Sequence, residues 1–143
     1  MALRVKLRIK VANSEAKAEV SALVNTGFET EKPQLLIPKA LASKLGLWPP
    51  PPDSKLIELG TAGGPVRHFL LPGFLEVAVV AGEREVGPVA CDAIISHIEE
   101  EVIVNDKLSE ALGIIIVGPG SGKWRFVDDP PDLIRRSEEP QFF

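Results

Sequence analysis

Charged and apolar residues alternate without a break through Arg4-Val5-Lys6-Leu7-Arg8-Ile9-Lys10-Val11. A period of two puts Leu3, Val5, Leu7, Ile9 and Val11 on one face of a strand and four cations on the other, wet face. The same alternation denies the N-terminus the unbroken apolar core of a signal peptide. Downstream, 13 prolines and 12 glycines divide the chain into short apolar runs. Such frequent punctuation favours a mainly β domain.

After a turn at Asn13-Ser14-Glu15, residues 16–24 read as a returning strand with Ala18, Val20, Ala22 and Val24 on one side. Its end, Ala22-Leu23-Val24, is apolar on both faces, as expected where a strand enters a core. A small polar turn follows, Asn25-Thr26-Gly27, and then an exposed polar stretch from Glu29 to Pro33. Residues 34–37 read as a short strand. Pro38 and Gly46 bracket a short helix whose Leu41 and Leu45 point inward. The run Pro49-Pro50-Pro51-Pro52 cannot join a sheet ladder and reads as a stiff surface spacer.

Residues 55–60 and 65–71 form a hairpin around Thr61-Ala62-Gly63-Gly64. Pro72-Gly73 is expected to turn the chain, with Leu75, Val77 and Val79 on a new strand, a break at Gly82, and residues 84–90 returning. Residues 101–104 read as a strand, and Asn105 or Asp106 caps a helix that Gly113 ends. Strands at Ile114 to Val117 and Lys123 to Val127 close a domain spanning residues 1–127. The proline- and charge-rich tail, 128–143, is expected to run on the surface or to be partly disordered, with a frayed Phe142-Phe143.

At 143 residues, 45% hydrophobic and 25% charged, the chain has the size and balance of one soluble globular domain. A net charge of −4 argues against nucleic acid or an anionic membrane as partner. Cys91 stands alone, so no internal disulfide forms, and no segment approaches the roughly 18 apolar residues of a membrane span. A cytoplasmic location is the expectation.

Three anchors carry a resemblance. Leu23-Val24-Asn25-Thr26-Gly27 is an apolar run ending in a tight turn, followed by Leu35-Leu36-Ile37-Pro38 and a short helix. Thr61-Ala62-Gly63-Gly64 is a glycine-rich hairpin tip. Val102-Ile103-Val104-Asn105-Asp106 leads into a short helix ending in Leu112-Gly113. In order and spacing this resembles the retropepsin-like aspartic proteases over residues 3–127, with Asn25 where the family carries its catalytic aspartate and Val104 where it carries a glycine. The resemblance implies a closed acid-protease barrel with one or two short helices, forming half of a two-fold homodimer, because this length holds only one copy of the motif.

It further implies roles. Two aspartates meeting about 3 Å apart share one proton, the ionised one activating water and the protonated one polarising the peptide carbonyl. Asn25 would occupy that position on the axis, Thr26 would bond across to the partner loop, and Gly27 would permit the tight turn. Phe28 and Glu29, the flap residues Thr61, Ala62, Gly63 and Gly64, and Val104 behind the loop would bound a groove for an extended peptide. A carboxamide takes up no proton at ordinary pH, so the resemblance implies an endopeptidase that is inactive as written, needing no cofactor or metal. Asn25 admits two explanations: a native residue in a non-enzymatic peptide-binding or dimerisation module, or an inactivating substitution that leaves the shape intact.

Other motifs carry less. Gly118-Pro119-Gly120-Ser121-Gly122-Lys123 imitates a phosphate loop, but the spacing is one residue short, Trp124 replaces the Mg²⁺-binding hydroxyl, and a strand follows. His68 and His97 lack partners at metal-ligand spacing and read as surface or packing residues. Cys91 reads as a buried small hydrophobe; of the acid/base candidates Asp92, Asp106 and Glu99 to Glu101, Asp106 reads as a helix cap and the run as a solvated segment. The basic face of the first strand lacks the interleaved aromatics of a nucleic-acid site.

Overall fold

The computed structural model describes residues 2–143. Strands β1 (Arg4–Val11), β2 (Lys17–Val24), β3 (Gln34–Pro38), β4 (Lys55–Thr61), β5 (Gly64–Ala81), β6 (Arg84–Ser96) and β7 (Val102–Val104) form one sheet in the order β1-β2-β7-β3-β6-β5-β4. An additional β1–β5 pairing closes six of them into a barrel, leaving β4 as an arm on β5. Two short helices, α1 (Lys39–Lys44) and α2 (Asp106–Ala111), cover it, and β8 (Ile114–Gly118), β9 (Lys123–Phe126) and β10 (Arg135–Arg136) make a small second sheet.

The alternation in β1 works as read: Val5, Leu7 and Ile9 are wholly buried inside the barrel. Of the opposite cations, Arg8 pairs with Glu19 and Glu85 and Lys10 with Glu76, so much of this face is laced by acidic neighbours. Arg4 pairs with Glu101 at 2.7 Å. The runs that lack alternation are buried on both sides. In β3, Leu35 and Ile37 face the barrel while Leu36 packs outside it against Ile94 and Ile103. Full burial of such side chains stabilises by about 1.5–3 kcal/mol each. This outer cluster, extended by Phe28, Leu59 and Leu70, is the floor on which the candidate site rests.

Two expectations need correction. Pro72-Gly73 does not turn the chain: β5 runs through it as a bulged strand, shifting register between Leu71 and Leu75. Gly73 takes a positive φ of 66°, and its N–H donates to Asp92 Oδ1 at 2.8 Å, which replaces the ladder bond lost at the bulge. The tail runs along the surface, one of its two expected courses, and its end is held by hydrogen bonds where fraying was expected. β10 pairs with β9, Glu138 N–H donates to the Arg4 carbonyl, Ser21 N–H to Gln141 Oε1, and Phe143 N–H to the Glu100 carbonyl. Its anchor is Asp129, buried between Arg84 and Arg135, with both guanidiniums lying over the Phe126 ring. The sequence concealed this because the charges that look solvating are paired in space.

Candidate functional site

β2 delivers Asn25 to the barrel rim. Its backbone N–H continues the parallel ladder with β7 by donating to the Val104 carbonyl at 3.0 Å. The chain then turns back on itself, Phe28 N–H donating to the Asn25 carbonyl at 3.1 Å and Gly27 N–H to Asn25 Oδ1 at 3.0 Å. A Cβ on Gly27 would lie 3.2 Å from that Oδ1, so the turn leaves room only for glycine without a shift. The Oδ1 position demands an acceptor, and a carboxylate would serve there as well as the amide.

The segment after the turn is fixed by Asn105, wholly buried at the N-cap of α2. Its Oδ1 accepts from Leu108 N–H at 2.9 Å and Gln34 N–H at 3.0 Å, and its Nδ2 donates to Thr30 Oγ1 and the Lys32 carbonyl. Asp106 N–H donates to the Phe28 carbonyl, tying α2 to the turn. Of the two residues expected to cap this helix, Asn105 does so and Asp106 opens the first turn.

Across from the turn, β4 and β5 project as a hairpin with Ala62-Gly63 at its tip. Thr61 Oγ1 clasps the tip, donating to the Gly64 carbonyl and accepting from Gly63 N–H. Between turn and hairpin lies a cleft of about 390 Å³. Among the residues expected at a site, Asn25, Gly27, Phe28, Glu29, Thr61 and Ala62 line it. Thr26 looks the other way, into depressions shared with Ile116 of β8. Gly63 and Gly64 form the hairpin tip without lining the cleft. Val104, expected at the groove, is instead wholly buried in the barrel and reaches the site only through its carbonyl.

Sequence reasoning missed Leu36, Leu59 and Ile103 of the floor, His68 of the hairpin, and Ile98 and Glu99 of the segment between β6 and β7. A signal for the floor existed, since Leu36 and Ile103 are the odd members of runs too apolar to alternate. His68 is a packing residue, 3% exposed, and its ring lies 6.4 Å from that of His97. Burial pushes its imidazole below the ordinary histidine value, opposed by the Ile95 carbonyl, aided by His97 and opposed again by Glu99.

Of the motifs set aside, His68 and Glu99 line the cleft, Pro119 and Gly120 share a separate depression with Asn25 and Thr26, and Cys91 and Asp92 line neither. Residues 118–123 connect β8 to β9 as a hairpin, Cys91 is buried with its thiol pushed up to about 12 by desolvation and the Asp92 charge, and Asp92 accepts from Gln34 Nε2 and Gly73 N–H. Among the described residues no group of three or more His, Cys, Asp or Glu is placed to hold a metal ion, and no helix is long and apolar enough to cross a membrane. No family model and no curated protein matches this chain.

Proposed function

We propose that this chain is one half of a retropepsin-like aspartic endopeptidase site, silent as written because Asn25 occupies the catalytic position. The observation that carries the reading is the cleft framed by the Asn25 turn on one side and the β4–β5 hairpin on the other, over an apolar floor. An extended peptide laid there would have its backbone beside Asn25 and its side chains on Phe28, Leu36 and Ile103. The Asn25 turn already holds its side chain by an acceptor oxygen, the geometry a carboxylate needs.

A second copy of the chain would supply the other half. β8 has β9 on one side only, exposes Val117, and lies beside Thr26. An apolar edge strand is a template for pairing, and a two-fold contact there would bring two Asn25 turns together with Thr26 bonding across. Two neutral amides meet without the repulsion of two carboxylates, so asparagine at this position spares assembly while lacking acid–base catalysis, a step worth about 10²–10⁴ in rate.

The test is Asn25→Asp incubated with a quenched-fluorescent random octapeptide library between pH 4 and 7. The variant is expected to cleave while the parent does not. A dimeric Asn25→Asp protein that cleaves no peptide would remove the protease reading and leave a groove that only binds.

A further inference from the structure

The charged groups of the cleft are of one sign, while Asn25 Nδ2 remains a neutral donor there. Glu29 and Glu99 are both exposed lining residues, and among the described residues no lysine or arginine lines the space. His68 is the independent observation. It is 97% buried, since only 3% of it is exposed, it lines the same cleft, and its Nδ1 has no hydrogen-bond partner. A buried polar atom left unpaired is costly, and a ligand donor reaching it would recover that cost. A neutral imidazole offers its bare nitrogen as an acceptor, and carboxylates offer acceptors only. Asn25 Oδ1 is already engaged by Gly27, and the Thr61 hydroxyl by its own hairpin. The two carboxylates and the open His68 nitrogen therefore suit a hydrogen-bond donor carrying positive charge, set against an apolar floor of Leu36, Leu59 and Ile103, with Asn25 Nδ2 left to donate to a peptide carbonyl.

We infer that the cleft selects peptides carrying a lysine or arginine side chain next to an apolar residue, with Glu29 and Glu99 holding the cation and His68 accepting from it. This deepens the peptide-groove reading above and rests on it. The floor takes the neighbouring apolar side chain, and the alkyl stem of the basic residue covers Ile98, which is 51% exposed.

The experiment uses the full chain, immobilised at pH 7.5 and low salt, and a pool of acetylated octapeptides randomised over all residues except cysteine. Acetylation removes the chain-end amine as an alternative cation. Retained peptides are sequenced. Lysine and arginine are expected to be enriched about fivefold or more over aspartate and glutamate at one position, beside an enriched apolar one. The Glu29→Gln, Glu99→Gln double variant, altered only at exposed positions, should lose the basic enrichment and keep the apolar one. His68→Phe, which keeps a ring and removes the acceptor, should reduce the basic enrichment in part. A retained pool without basic enrichment, or an enrichment that survives the double variant, overturns the inference and leaves the groove standing. A pool from which nothing is retained overturns both.

Discussion

Asp129→Ala removes the joint between tail and barrel. Asp129 Oδ2 accepts from the buried Phe126 N–H at 2.7 Å and from Arg135 Nε at 2.8 Å, and Oδ1 accepts from Arg84 Nη1 at 2.9 Å and Arg135 Nη2 at 3.1 Å. Breaking a buried ion pair from one side costs about 3–5 kcal/mol when the remaining charge is trapped. Here the arginines keep Asp128 and Glu83 as partners, and Arg84 is 30% exposed, so the loss belongs at the lower end, about 3 kcal/mol. Unfolding entropy of about 2.1 cal/mol/K per residue over 143 residues converts this into a Tm lower by about 10 °C. Calorimetry reads the shift, and limited proteolysis should cut within residues 130–142 sooner than in the parent. Asp128→Ala is the control: it bonds the same Arg84 but is 69% exposed, and a surface pair is worth less than about 1 kcal/mol. A fall below about 2 °C for Asp129→Ala, or equal falls for the two variants, would refute the view of Asp129 as the anchor.

Acidification should destabilise the protein in two stages. His68 is held below its ordinary value by burial, so its contribution is complete above about pH 6.5 and is lost as the unfolded state takes up protons below it. Asp129 is held low first by Arg135, then by the Phe126 N–H and Arg84, against the cost of burial, so its contribution is present above about pH 4 and lost beneath that. Tm against pH should show both slopes, His68→Phe removing the first and Asp129→Asn the second; a Tm flat from pH 7 to 3 contradicts both assignments. Asn105→Ala orphans two N–H donors and two acceptors around a buried side chain and should cost about 3 kcal/mol or more, with faster amide exchange in residues 28–34; chemical denaturation within about 1 kcal/mol of the parent would count against its role as the hub of the site. Cys91, buried with its thiol raised to about 12, should stay unmodified by a disulfide reagent at pH 8 and react once guanidinium unfolds the chain; rapid modification of the native protein would contradict its placement.

How much of this was legible in the sequence depends on whether a feature is local. The strict alternation of β1, the Pro38 and Gly46 boundaries of α1, and the hairpin around Thr61 to Gly64 are set by neighbours in sequence, and the structure follows each. Barrel closure through β1 and β5 joins residues some 70 positions apart, such as Leu7 and Val79, and no local pattern encodes it. The bulge at Gly73 was misread because a Pro-Gly pair ordinarily turns a chain, whereas here the distant Asp92 supplies the missing acceptor. At the site, the turn and hairpin residues stood out by type, but His68, Ile98 and Glu99 reach the cleft only through folding, and Val104 leaves it because its strand position faces inward.

The central claim is that Asn25 marks half of a site which a second copy completes. Sedimentation equilibrium of the parent protein over roughly micromolar to several hundred micromolar concentration, the range in which weak self-association shows, tests it most directly. The account predicts a species of twice the 15.4 kDa chain mass, dissociated by a charge placed on the β8 edge as Val117→Asp. A single 15.4 kDa species at every concentration would contradict it.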